Sequence, residues 1–206
     1  MNSNSFFKPS NDTLYQPVGA MPHDSVIRRA QKIKLLILDV DGVLTTGYLD
    51  YDAKGEVVKS FYVQDGLGLQ LLRQQGIQLA IISGRDSPVT AARAQDLKIH
   101  HVLQGAQDKG AALVNLLQTA GVAASECAYI GDDVIDLPIL RAVGMAVSVP
   151  NGHHLARSAA HWVTAQSGGA GAVRELAELI LFAQDKLLAA YAPYLGVDAQ
   201  PKLEIV

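Results

Sequence analysis

The feature that most restricts the fold is a recurring unit. Short runs dominated by apolar residues alternate with amphipathic stretches of helical length. Runs of this kind lie at 35–38, 79–82, 128–130 and 145–149, with a weaker one at 101–103. Apolar runs without polar alternation indicate strands buried on both faces. The stretches between them, at 67–75, 88–97, 109–120 and 136–143, carry the helical period, several with glycine at or near the stop. Alternation of this sort predicts an α/β domain, a doubly wound parallel sheet with helices on both faces. One segment breaks the pattern: 47–63 has β-type residues on both sides of Asp52-Ala53-Lys54-Gly55 and reads as a β-hairpin insert. A last long helix is expected over 171–190, ending before Pro193. The chain divides into a polar arm at 1–30 with one short helix after Pro22, a single domain at 31–190, and a tail at 191–206.

Composition narrows the class. With 206 residues, of which 49% are hydrophobic, the chain can bury one core and is not disordered over most of its length. A formal charge of −3 offers no electrostatic case for binding nucleic acid or an anionic membrane surface. The single cysteine, Cys127, excludes an internal disulfide framework and suits a reducing compartment. No apolar run approaches the ~20 residues that span a bilayer. The first residues lack the basic start and apolar middle of a signal peptide. A soluble, cytoplasmic protein is expected.

The chemistry sits where the apolar runs end. Asp39-Val40-Asp41-Gly42-Val43-Leu44-Thr45 follows the run at 35–38 directly. Carboxylates at i and i+2 after a strand can address one site, where they repel unless a cation or a shared proton intervenes. Alone, the motif is equally a solvated turn. The same position recurs: Ser83-Gly84-Arg85 follows 79–82, Asp108-Lys109 follows 101–103, and Gly131-Asp132-Asp133, with Asp136 beyond it, follows 128–130. In a parallel sheet these ends share one edge, which is where open α/β sheets bind ligands. The set has one economical explanation. Carboxylate oxygens hold Mg²⁺, and Lys109 and the Ser83 hydroxyl meet the oxygens of a phosphoryl group. Asp39 attacks phosphorus, while Asp41 protonates the leaving oxygen and then activates water.

These motifs, in this order, resemble those of the haloacid dehalogenase-like phosphotransferases. The resemblance implies that Asp39 is the nucleophile and Asp41 the acid and base, with Ser83 and Lys109 binding the phosphoryl group. It implies that Asp39, the main-chain carbonyl of Asp41, and Asp132 ligate Mg²⁺, and that Asp133 and Asp136 support the site from behind. A response-regulator receiver domain shares the residue types. In a receiver, however, the acidic pair comes first, the phosphorylated Asp stands on a later strand and Lys comes last, an order this chain does not follow. The intervals from Asp41 to Ser83 and from Ser83 to Lys109 are too short for the inserted cap domains of the family. An uncapped site needs another cover. A second subunit is the expected one, with the 47–63 hairpin at the interface.

Further motifs resemble one branch, the 3-deoxy-D-manno-octulosonate 8-phosphate phosphatases. They are Asp65-Gly66-Leu67-Gly68, Tyr129-Ile130-Gly131-Asp132-Asp133, Ile135-Asp136-Leu137-Pro138 and Gly168-Gly169-Ala170-Gly171-Ala172-Val173-Arg174-Glu175. The resemblance runs from about residue 33 to 184 and implies a Mg²⁺-dependent homotetramer that removes phosphate from the eight-carbon sugar acid in lipopolysaccharide precursor synthesis. It also implies that Arg174 contacts substrate across a subunit boundary; the alternative is that 168–171 merely links and starts a helix. Gly84 and Arg85 join the expected substrate site, Arg85 either as a cation for the substrate or as an interface ion pair. Two departures stand out: Gln64 replaces an Arg common before the Asp-Gly pair, and the arm lies outside the resemblance. Gln64 keeps open a nine-carbon 2-keto-3-deoxy sugar acid 9-phosphate as substrate. A non-catalytic oligomerisation domain of this fold is the remaining alternative, opposed by the intact Asp39, Asp41, Lys109 and Asp132. The His100-His101 and His153-His154 pairs lack a ligand pattern and read as surface or capping residues. Cys127 and Trp162 read as packing residues.

Overall fold

The apolar runs become the strands of one sheet. The computed structural model describes residues 9–53 and 55–196. Two short helices, α1 (Asn11–Leu14) and α2 (Asp24–Ala30), lead into β1 (Leu35–Leu38). A hairpin of β2 (Asp50–Asp52) and β3 (Gly55–Val58) precedes α3 (Val63–Gln74), β4 (Gln78–Ile82), α4 (Pro88–Asp96) and β5 (His101–Leu103). Then come α5 (Lys109–Ala120), β6 (Cys127–Ile130), α6 (Leu137–Leu140), β7 (Met145–Ser148), α7 (His154–Ala159) and β8 (Trp162–Val163). Helices α8 (Ala172–Ala183) and α9 (Leu187–Leu195) close the described chain.

The parallel sheet has the order β5-β4-β1-β6-β7-β8. Within β1 the side chains alternate between two apolar layers, as the two-residue strand period requires. Leu36 and Leu38 pack in the layer of Leu69 and Leu72 from α3 and Leu176 and Ile180 from α8. Leu35 and Ile37 pack with Leu113 and Leu116 of α5 and Ile139 and Leu140 of α6. Each such side chain, withdrawn from water, contributes about 1.5–3 kcal/mol. Strand β1 pairs with β4 on one side and β6 on the other, so the winding direction reverses at its carboxyl end. Ligand sites in open α/β sheets form at such a switch point, and Asp39 follows β1 there.

The structure corrects the expected elements in four places. Helix α3 starts at Val63 rather than 67. Gly66 and Gly68 mask its period, and both are there for close packing: a Cβ on Gly66 would lie 2.3 Å from the Arg93 guanidinium, and one on Gly68 would lie 3.2 Å from Ala177. The helix expected at 136–143 is a 3₁₀ turn followed by the four-residue α6, because Ala142 and Val143 both turn their N–H groups onto the Ile139 carbonyl. The last helix is broken in two at Asp185, whose φ is +58°. Lys186 N–H donates to the Leu181 carbonyl and Asp185 N–H to that of Phe182, a Schellman stop that usually needs glycine. Beyond it, Pro193 stands inside α9 rather than after the helix, and residues 191–195 are helical, not tail; the rest of the expected tail, 197–206, lies outside the described residues.

The fourth correction concerns the arm. From Asn11 onward it is folded onto the domain. The Tyr15 ring stacks on Phe182 at 4.4 Å, and Val26 and Ala30 belong to the core, while the expected helix after Pro22 is α2. The buried Tyr15 hydroxyl has no hydrogen-bond partner among the described residues. Tyr15→Ala is therefore expected to cost about 3 kcal/mol of unfolding free energy, whereas Tyr15→Phe leaves stability equal or higher; urea denaturation distinguishes the two.

Asp65 of α3 locks the helix pair. Its buried carboxylate faces the first N–H groups of α8, accepting from Arg174 at 2.7 Å and also from Gly171 and Val173. Burial pushes this carboxyl up to about 6 in spite of those donors. The folded state then holds a proton that the unfolded chain has released between pH 4 and 6, so stability falls as pH rises through that window. Relative to Asp65→Asn, the wild type is expected to lose on the order of 2 kcal/mol between pH 4 and 7, measured by denaturation at each pH.

Candidate active site

Each expected site residue stands at a strand's carboxyl end or on the helix after it. Asp39 follows β1 and donates its N–H to the Ile130 carbonyl of β6 at 3.0 Å. The chain must then turn over Asp132, which Gly42 permits with a φ of +96°; a Cβ there would lie 2.2 Å from Asp132 Oδ2. Ser83 follows β4, is buried, and is held by a bond from its N–H to the Leu103 carbonyl at 2.9 Å. Its Oγ accepts the Arg85 N–H at 3.3 Å. Gly84 lines the same turn and its carbonyl accepts from the Gln107 amide at 3.4 Å. Asp108 caps α5 by accepting the Ala111 N–H, which presents Lys109 from the first turn of that helix.

Lys109 is 3% exposed and joins the elements. Its ammonium lies 2.7 Å from Asp39 Oδ1 and 2.6 Å from Asp136 Oδ1. Burial alone would pull that ammonium's pKa down, but the two carboxylates outweigh it and hold the pKa above the ordinary lysine value. Asp136 Oδ1 also accepts from the Tyr129 hydroxyl at 2.5 Å, and Oδ2 accepts the N–H groups of Asp132 at 2.9 Å and Asp133 at 3.0 Å. Four donors thus occupy Asp136. Burial, followed by the charges of Asp39 and Asp136, keeps the Tyr129 hydroxyl far above its usual range, so it remains a donor.

A cation fits beside this group. Among the described residues, Asp39, Asp132 and Asp136 bring carboxylate oxygens within 4.8 Å of one another. With all three ionised, the carboxylates exceed the single Lys109 ammonium by two charges. Asp132 Oδ1 is buried without a partner among the described residues. Burial, then Asp39 and Asp136, push Asp132 up to about 8, and burial offset by Lys109 brings Asp39 to about 6. A hard divalent cation satisfies an orphaned oxygen and this charge together. Asp136 has spent its oxygens on hydrogen bonds, which leaves Asp39 and Asp132 as the side chains free to ligate.

The Asp41 side chain points elsewhere. It pairs with the buried Lys59 ammonium, and the Arg85 guanidinium lies 3.8 Å from its Oδ2. Arg85 also donates to the Tyr51 hydroxyl from the hairpin. Asp133 is exposed and accepts the Val134 N–H at 2.7 Å, capping the turn below. Arg174 is not brought to this cluster: it donates to Glu178 and to the Tyr191 hydroxyl, both at 2.6 Å. Gln64 lines a cleft of about 470 Å³ with Tyr62, Gln166 and Arg174, to which Asp39, Asp41, Ser83 and Lys109 contribute nothing. His100 accepts the Leu79 N–H and His153 that of Leu155, in line with capping roles.

Lys59 escapes sequence reading, and so does the role of Tyr129, which the branch motif names without assigning it a task. Lys59 stands just past a hairpin strand with no motif around it, and burial is its only signal. Tyr129 reads as one more residue of an apolar strand. Asp136→Asn, which cannot accept from all four donors, is expected to lower the unfolding free energy by about 3 kcal/mol, read from denaturant titration.

Comparison with known proteins agrees with this geometry. Residues 90–176 match the haloacid dehalogenase-like hydrolase family. The 3-deoxy-D-manno-octulosonate 8-phosphate phosphatase of Yersinia pestis is 46% identical over 87% of this chain and 94% of its own. The crystal structure of the enzyme of that name from Moraxella catarrhalis, in complex with magnesium ion, phosphate ion and KDO, superposes with a TM-score of 0.81 at 48% identity. It covers 83% of this chain and 98% of that one. The cobalt-bound Haemophilus influenzae phosphatase gives a TM-score of 0.77 at 45% identity, over 78% and 94% of the two chains.

Proposed function

Since the chain belongs to the haloacid dehalogenase-like hydrolases, in the branch of the 3-deoxy-D-manno-octulosonate 8-phosphate phosphatases, we propose that it hydrolyses that eight-carbon sugar-acid phosphate with Mg²⁺ as cofactor, in lipopolysaccharide precursor synthesis. The observation that carries this reading is the buried Lys109 bridging Asp39 and Asp136 beside the unpartnered Asp132 oxygen. Asp39 and Asp132, with the Asp41 carbonyl, hold the cation, and Asp133 and Asp136 brace the turn that carries Asp132. Bound there, Mg²⁺ would neutralise charge on the transferring phosphoryl group.

The protein's own groups do the rest. An Asp39 carboxylate oxygen forms a bond to phosphorus as the bond to the sugar oxygen breaks, giving an aspartyl phosphate. Asp41 delivers a proton to the departing sugar oxygen, so the sugar acid leaves as an alcohol. Asp41 then takes a proton from water, the water oxygen bonds to phosphorus, and the Asp39–phosphorus bond breaks to release phosphate. Ser83, Gly84 and Lys109 meet the phosphoryl oxygens, and Lys59 holds the Asp41 side chain in place. Arg85, exposed enough to be reached, meets the sugar-acid carboxylate.

Among the described residues the intervals from Asp41 to Ser83 and from Ser83 to Lys109 hold only the hairpin, α3, β4, α4 and β5, which leaves the site without an inserted cap. Tyr48 at 83% exposure and Tyr51 at 59% give the hairpin an aromatic surface that a neighbouring subunit would cover, in a homotetramer. Among the described residues no helix is long and apolar enough to cross a membrane.

Mg²⁺-dependent phosphate release is expected to favour the eight-carbon 8-phosphate over the nine-carbon 9-phosphate; the reverse preference transfers the assignment to the longer acid. Asp39→Asn is expected to lower kcat at least about a thousandfold. Because Mg²⁺ must displace the proton that Asp132 holds up to about pH 8, calorimetric Mg²⁺ affinity is expected to fall between pH 8 and 6, by about tenfold per unit at most, with protons released on binding.

A further inference from the structure

The block from Gly168 to Glu175 lies against the catalytic loop through its backbone. Gly169 N–H donates to the Val43 carbonyl at 2.8 Å. A Cβ on Gly168 would stand 1.7 Å from the Gly42 carbonyl oxygen, and one on Gly169 would stand 2.4 Å from Thr45 C. Only glycine allows main chain to meet main chain this closely. On its other side, Gly168 N–H donates to Asn151 Oδ1 at 3.0 Å. Asn151 is in the turn after β7, where His153 N–H donates to the Asp132 carbonyl at 2.7 Å. Asp132 in turn lies against Gly42.

These contacts close a ring: Gly42 and Val43, Gly169 and Gly168, Asn151 and His153, Asp132, and Gly42 again. Besides the Lys109 bridge from Asp39 to Asp136, the two loops that carry the candidate cation ligands, one after β1 and one after β6, are therefore joined in two further ways. One join is their direct contact, and the other is the glycine pair. The glycine pair is itself anchored at both ends by buried carboxylates. Glu175 accepts the N–H groups of Ala165 and Gln166, at 3.0 and 2.9 Å, ahead of the pair, and Asp65 accepts the Arg174 N–H behind it.

We infer that Gly168 and Gly169, tied through Asn151, form a positioning brace that sets the separation between Asp132 and the Asp39–Gly42 loop, and so sets Mg²⁺ affinity. This rests on the reading of Asp39 and Asp132 as cation ligands. It gives the glycines of the branch motif a role that does not pass through Arg174 or through substrate.

Two substitutions test it from opposite directions. Asn151→Ala removes the acceptor of Gly168 N–H and releases the brace, while Gly168→Ala pushes the Gly42 carbonyl away. For each, Mg²⁺ binding is measured by calorimetry on the full chain, alongside the metal-free unfolding midpoint and the Mg²⁺ dependence of phosphate release. Loss of a group that orients metal ligands typically weakens the metal by 10–100-fold. Asn151→Ala is expected to weaken Mg²⁺ about tenfold and raise the half-saturating Mg²⁺ concentration in parallel, with KM for the sugar phosphate at saturating Mg²⁺ within about twofold. The metal-free midpoint stays close to wild type. Should Gly168→Ala fail to fold, Asn151→Ala decides alone. Mg²⁺ affinity within twofold of wild type in a folded Asn151→Ala protein overturns the brace, as does loss of affinity that only follows loss of stability. If the wild type binds Mg²⁺ but releases no phosphate from either sugar acid, the proposed function fails while calorimetry still judges the brace. If it binds no Mg²⁺, both fail.

Discussion

A buried ammonium is costly unless its surroundings return what water gave it, and in this protein almost every functional element is arranged around that requirement at Lys109. Asp39 from the first strand loop and Asp136 from beyond β6 supply the two carboxylates. The Tyr129 hydroxyl and two backbone N–H groups then occupy the remaining acceptor sites of Asp136. Removing Lys109 would strand the Asp39 and Asp136 carboxylates in a region almost without solvent. The network therefore fixes the relative positions of β1, β6 and α5 as firmly as the apolar layers do. It also leaves a deficit of positive charge at Asp132. Stability and reactivity come from one arrangement: the cluster is satisfied enough to persist and short of one cation.

The second carboxylate of the opening motif lives in a different setting. Asp41 is turned toward Lys59 and Arg85, and through Arg85 toward the hairpin. Two aspartates separated by one residue thus receive different partners. Asp39 faces inward to a buried lysine, and Asp41 lies partly exposed between Lys59 and Arg85. Divergent environments for paired carboxylates are what acid–base division of labour requires. The hairpin contributes to this as well as to any subunit contact, since it carries Tyr51 and leads into Lys59.

Much of this was legible in the amino-acid order because strand ends in a parallel sheet converge whatever their spacing along the chain. Asp39, Ser83, Lys109 and Asp132 each follow an apolar run, and the sheet does the rest. What escaped reading did so for physical reasons. Asp185 stops a helix in a left-handed conformation that glycine normally signals. Gly66 and Gly68 hide the first turns of α3 because they are spent on close packing against Arg93 and α8. Tyr15 looked like part of a polar arm because a single aromatic carries no period, yet it stacks on Phe182. Lys59 and Asn151 are tertiary partners from segments without motifs, and only the folded chain shows whom they meet. Arg174, which the motif assigns to a substrate contact across a subunit boundary, is engaged within its own chain by Glu178 and Tyr191.

The central place of β1 has a consequence for how the protein comes into being. The Asp39 loop leaves the ribosome early, but the strand that precedes it has no sheet neighbours until β4 and β6 have been made, and the glycine pair that rests on the loop arrives later still. Contacts of such sequence separation form late and together. On the proposed reading, a chain that ends before Gly168 carries Asp39, Asp41, Ser83, Lys109 and Asp132 and still lacks the glycine contacts that join their loops from outside the sheet.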